Sequence, residues 1–112
     1  MVRRVAGMLA VIGLGIGVGW AQPPAGDVSA GKIVFEKKCR ICHGDYGEGN
    51  PDVAKKLKAE QKPLWSEEVQ KKTDAELRKI ITEGTGKMKP PKNVTDADKD
   101  NVIQFVRTLK KP

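Results

Sequence analysis

Apolar residues fall at helical intervals along most of this chain and alternate nowhere in the two-residue rhythm of a half-buried strand. The clearest stripe is the last: Val102, Phe105, Val106 and Leu109 recur at i, i+3, i+4 and i+7, behind a Thr95 cap with acid in its first turn. Lys110 and Lys111 close that helix at the end that favours cations. A second stripe, Leu77, Ile80 and Ile81, follows the capping-box sequence Thr73-Asp74-Ala75-Glu76 and stops at Gly84. A first helix is expected from Val28 to about Arg40, capped by Asp27 or Ser29, with Ile33 and Phe35 as its apolar contacts. Between them, Gly44 to Pro51 is dense in turn residues and reads as a loop. A short helix is expected from Asp52 to about Glu60, and Lys62 to Lys72, with Pro63, reads as irregular. The fold class is therefore all-α.

The N-terminal segment has a different character. Arg3 and Arg4 precede an uncharged, glycine-interrupted stretch from Val5 to Val18, and Gly19-Trp20-Ala21 offers small residues at the cleavage positions of a signal peptide. Residues 1–21 are read as that signal, with a retained anchor as the alternative; Arg3-Arg4 also fits a twin-arginine signal, though the residues around it lack the fuller motif. Residues 22–27, rich in Pro and Gly, form an exposed leader, and 28–112 form one domain.

Composition narrows the class further. The 112 residues, 38% hydrophobic and 31% charged, suit one soluble domain and exclude a coiled coil or a disordered chain. The net charge of +7 favours acidic partners. Two Trp, one Tyr and two Phe are too few for a base-stacking surface, so nucleic acid is not the expected partner. They are also a thin supply for a self-sufficient core, which raises the question of what fills the middle.

Cys39-Arg40-Ile41-Cys42-His43 carries the chemistry. Two cysteines three apart at a helix end present both thiols on one side, with the histidine following, and this spacing is the attachment signature of c-type haem. On that reading the thiols form thioethers and His43 holds the iron. A Cys39–Cys42 disulfide, a zinc site and a thioredoxin-like pair are the alternatives. The disulfide would close a very small loop, the zinc site would lack a fourth ligand, and the redox pair would lack its βαβ context.

His43 is the only histidine, and Met1 and Met8 belong to the signal segment, so Met88 is the soft side chain left for a second axial position. It sits in Gly84-Thr85-Gly86-Lys87-Met88-Lys89-Pro90-Pro91, a Gly/Pro loop between two helices. The competing reading is a gap-filling methionine.

With these residues the chain resembles the small monohaem class I c-type cytochromes of bacteria over nearly the whole of 28–112. Gly31 and Phe35 match the first-helix positions that cross the last helix in that family, and Val102 and Phe105 match their partners. The resemblance implies a small cytochrome c fold of three to five helices wrapped around one covalent haem c, with His43 proximal and Met88 distal. It implies an electron carrier, not an enzyme, that meets redox partners outside the cytoplasm as a monomer, with membrane contact only if the N-terminal segment is retained. A haem-based gas-binding or sensor module with a labile distal ligand is the alternative.

Two positions depart from the family. Lys89 stands between Met88 and Pro90-Pro91 where a proline commonly follows the ligand, and Pro51 is the nearest candidate for the proline whose carbonyl accepts the proximal imidazole N–H. Trp65 is a candidate donor to a haem propionate. Phe35, Leu57, Leu64, Leu77, Ile80, Val102 and Phe105 are expected around the porphyrin. Lys87, Lys89 and Lys92 are expected to steer an acidic redox partner.

Overall fold

The computed structural model describes residues 26–112 together with Gly7, Ile12, Gly13 and Gly15. The expected signal peptide (1–21), apart from those four positions, and residues 22–25 of the leader lie outside the described residues.

Six helical segments run in the order α1 (Val28–Lys38), α2 (Arg40–His43), α3 (Pro51–Leu57), α4 (Glu67–Gln70), α5 (Asp74–Glu83) and α6 (Asp96–Arg107), with no strand among the described residues. Two of the six, α2 and α4, are single turns, so the longer helices are the four read from the sequence.

Local chemistry sets most of the boundaries. The Asp27 carboxylate caps α1 by accepting the Ser29 N–H at 2.8 Å, so Asp27 and not Ser29 is the cap. Asn50 caps α3 and Pro51 follows at its first position, where a missing N–H costs nothing. Both expected caps of the longer C-terminal helices are present: Thr73 with Glu76 and Thr95 with Asp98 form reciprocal capping boxes. α6 ends at Arg107, so Leu109 lies just beyond it, in a turn whose N–H reaches the Val106 carbonyl at 3.1 Å. The Lys62–Lys72 stretch contains α4, a turn capped by Ser66.

The frame is the packing of α1 on α6, with α5 also against α6. Gly31 makes the first crossing possible. A Cβ there would fall well inside van der Waals distance of the Asn101 carbonyl, and 3.0 Å from the Phe105 Cβ. One turn on, the rings of Phe35 and Phe105 meet at 5.2 Å between centroids and 53° between planes, a tilted aromatic pair. Asp27 N–H adds a 2.8 Å bond to the Asn101 side chain. Among the described residues the buried apolar core is Phe35, Leu77, Val102 and Ile103.

Ile33 departs from expectation, being 54% exposed. It is two residues from Phe35, about 200° around a helix, so both cannot face α6. Ile103, which lies outside the expected stripe, is buried in the core.

Candidate functional site

α1 does not run on to Arg40. Its last helical bond closes at Cys39, whose N–H reaches the Phe35 carbonyl at 2.9 Å, and α2 restarts at Arg40 and stops at Gly44, where φ is 80°. That restart carries the Cys39–His43 pentapeptide as a separate helical turn.

A one-turn helix leaves its carbonyls without helical partners, and here each of α2's is satisfied. Arg40 C=O accepts from Gly44 N–H at 2.8 Å, and His43 C=O from Gly49 N–H at 2.7 Å. The other two are met by side chains: Asn50 Nδ2 donates to Ile41 C=O at 2.9 Å, and Gln61 Nε2 donates to Cys42 C=O at 2.8 Å. Gln61 Oε1 also accepts the Asn50 N–H at 2.9 Å, which joins the two amides into one clamp. Leu64 N–H on Gly47 C=O at 2.8 Å ties the following strip to the same loop.

These segments border a cleft of about 810 Å³, within the roughly 300–1,000 Å³ of a ligand site. Cys39, Cys42 and His43 line it from α1–α2, Leu57 and Leu64 from the 57–64 strip, Leu77 and Ile80 from α5, and Met88 from the loop after α5. A smaller apolar recess of about 80 Å³ continues inward to Phe35, Val102 and Ile103. The donors named from sequence are thus brought to one apolar cleft. Cys39 and Cys42 form no disulfide with each other, which leaves both sulfurs for thioethers, so the donor set and the cleft fit a covalently held haem.

Electrostatics weigh against the alternatives. Burial, and secondarily Cys42, push the Cys39 thiol up to about 11, whereas a reactive redox cysteine needs a lowered value. Burial lowers the His43 imidazole, so it is neutral at pH 7 with a lone pair to give. Among the described residues no group of three or more His, Cys, Asp or Glu converges on a metal position.

Several expectations shift in detail. Leu57 lines the cleft but stays 41% exposed, at its mouth. Trp65 is half-buried and does not border the cleft. Pro51 serves as the first residue of α3. Of the three lysines beside Met88, Lys87 and Lys89 border the cleft and Lys92 does not; Lys38, Lys58, Lys62 and Lys72 do. Neither these four nor Gln61 carried a sequence signal, because lysine is spread along the whole chain and Gln61 sits in no periodic segment.

An all-α frame with a helix crossing at Gly31, and an apolar cleft lined by a Cys-x-x-Cys-His turn and a methionine, define a c-type cytochrome domain. Comparison with known proteins agrees. Residues 26–106 match the family described as Cytochrome C oxidase, cbb3-type, subunit III, and the chain belongs to that family. Among solved structures it is similar to one named KustC0563 c-type cytochrome, with a TM-score of 0.61 and 28% sequence identity over 72% of this chain and 98% of that one. No curated protein matches the chain. Membership implies a covalently bound haem c and electron transfer as the general role. No described helix is long and apolar enough to cross a membrane.

Proposed function

We propose that this chain is a mobile electron carrier of an extracytoplasmic respiratory chain, with its haem joined to Cys39 and Cys42 and its iron held between His43 and Met88. The observation that carries this reading is the meeting of two thiols, one imidazole and one thioether at a single apolar cleft. Bound haem supplies one iron that alternates between Fe(III) and Fe(II). The protein's part is to hold and to tune. Cys39 and Cys42 tether, and neutral His43 donates its ring nitrogen. The soft Met88 thioether favours the reduced state and so raises the potential. Phe35, Leu77, Ile80 and Val102 keep water from the inner edge and act in the same direction. With His43 and Met88 both given to the iron, no position would be left for a substrate, as suits a carrier with no reaction of its own.

Lys38, Lys58, Lys72, Lys87 and Lys89 rim the cleft, with Lys62 paired to Glu68. That rim supports docking of an acidic redox partner, brief and steered by charge. The family description supports a search for that partner beside a cbb3-type oxidase. Residues 1–21 serve as the export signal, which leaves a periplasmic monomer beginning near Gln22.

The test is the optical spectrum of the exported, reduced holoprotein before and after carbon monoxide, with the mass of the mature chain beside it. An unchanged low-spin c-type spectrum is expected. A shifted spectrum would replace the carrier with a gas-binding module, and an uncut N-terminus would replace the free carrier with a membrane-tethered one.

A further inference from the structure

The backbone that presents Met88 is more constrained than a surface loop requires. α5 ends at Gly84, whose N–H closes on the Ile80 carbonyl at 2.7 Å. Gly84 then takes φ 76° and ψ 178°, a region essentially reserved to glycine. The chain next reverses over two residues. Thr85 N–H donates to Met88 C=O at 3.1 Å and Met88 N–H donates to Thr85 C=O at 2.8 Å, with Gly86 and Lys87 at the tip. Gly86 has φ 53°, a positive value of the kind two-residue hairpin turns need at their first central position.

The reversal folds Met88 back over the end of α5. A Cβ on Gly84 would fall inside contact distance of the Met88 carbonyl oxygen, which is backbone and cannot swing aside, and 3.0 Å from Pro90 Cδ. At Gly86 a Cβ would meet nothing within 4 Å. The crowding is therefore specific to Gly84.

We infer that Gly84 is the positioning residue for the Met88 thioether: its bare α-carbon lets the Thr85–Met88 hairpin seat against α5 and fixes Met88 at the cleft. The inference rests on Met88 being the distal ligand. A neutral thioether is a weak donor, so its hold on the iron depends on how few other positions its backbone can reach.

The test uses reduced holoprotein in three forms, wild type, Met88→Leu and Gly84→Ala, each titrated with carbon monoxide and followed by absorbance, with a thermal melt alongside. Wild type should be inert and Met88→Leu reactive. Gly84→Ala should still melt cooperatively yet bind carbon monoxide at concentrations that leave the wild-type spectrum unchanged, because the strain a side chain meets in that backbone region loosens the hold on Met88. A Gly84→Ala protein as inert as wild type, beside a reactive Met88→Leu, would overturn the positioning role and leave Met88 ligation standing. A reactive wild type, or an inert Met88→Leu, would overturn both. Should Gly84→Ala not fold, amide hydrogen exchange of wild-type holoprotein decides: protected Thr85 and Met88 amides support the closed hairpin, and exchange at free-peptide rates overturns it.

Discussion

Gln61 holds the carbonyl of Cys42 with its amide nitrogen at 2.8 Å while its amide oxygen accepts the Asn50 N–H at 2.9 Å. One uncharged side chain, 19 residues from the cysteine it serves, thus ties the attachment turn to the loop that caps α3. Each such bond contributes about 0.5–1.5 kcal/mol net, and a partner left buried without one costs about 1–3 kcal/mol. Gln61→Ala should therefore lower holoprotein stability by about 1–3 kcal/mol. Gln61→Glu should lose at least as much, because a carboxylate oxygen would face the Cys42 carbonyl where a donor now stands. Denaturant midpoints of the three proteins check both the size and the order; a Glu variant as stable as wild type would remove the clamp from the account.

The α1–α6 crossing makes a sharper demand on shape. Gly31 is buried and any Cβ would press on the Asn101 carbonyl, so Gly31→Ala must push the helices apart and loosen the Phe35–Phe105 contact. Overpacking of this kind costs about 1–3 kcal/mol or more. At about 4–8 °C per kcal/mol for a domain of this size, the melting temperature should fall by roughly 5–20 °C. A Gly31→Ala melt within a degree or two of wild type would show that the crossing has slack.

How much of this was legible in the sequence differs from residue to residue, for physical reasons. Thr73 and Thr95 announce their helices because a capping box is a local contract among four residues, and both boxes form. Cys39, Cys42 and His43 were legible because their chemistry fixes their spacing. Met88 was reached by elimination, and it lines the cleft. The break at Cys39 was not legible: nothing local stops α1 there, and α2 is instead held by Asn50 and Gln61 from farther along the chain. Ile33 misled because it was paired with Phe35 as an apolar contact of one helix although two residues separate them, which puts them on different faces. Lys58, with φ 50°, looks like any other lysine until the left-handed end of α3 turns it to the cleft.

The cleft rim carries a prediction about rate. Lys72 and Lys87 border the cleft without belonging to its donor set. Reversing either to Glu should slow bimolecular electron transfer with an acidic partner several-fold at low ionic strength and little at high salt, since screening shortens to about 3 Å at 1 M. Stopped-flow traces over a salt series read this directly. Rates indifferent to salt in wild type would end the steering idea.

Glu48 gives the site a pH dependence of known sign. Its carboxylate accepts the Tyr46 N–H at 2.8 Å, and backbone hydrogen bonds, first from Glu48 itself and then from Tyr46, hold its carboxyl below the ordinary 4.5. A carboxyl lowered in the folded state binds its proton more readily when unfolded. Its stabilisation is complete above about 4.5 and lost as pH falls through the lower folded value. The turn from Gly44 to Glu48, next to His43, should therefore loosen in acid. Glu48→Gln should be less stable at neutral pH, and its stability should change less with pH in that window. Parallel pH profiles for the two proteins would mean the carboxylate does not brace the turn.

Removing the haem tests the fold as a whole. Among the described residues the buried apolar core is four side chains, and one of these, Leu77, lines the cleft together with Leu64, Ile80 and Met88. Apolar burial contributes about 25 cal/mol per Å² removed from water, so these walls contribute little until something apolar lies between them. The capping boxes and the Phe35–Phe105 pair are local or pairwise and cannot replace that volume. The unloaded chain should keep part of its helical signal, lose cooperative melting and bind a hydrophobic dye, regaining a sharp transition only with haem attached. A native-like circular dichroism spectrum with a cooperative melt from the haem-free chain would show that the α1–α6 frame stands unaided, and that the cleft is a preformed cavity and not a core completed by its cofactor.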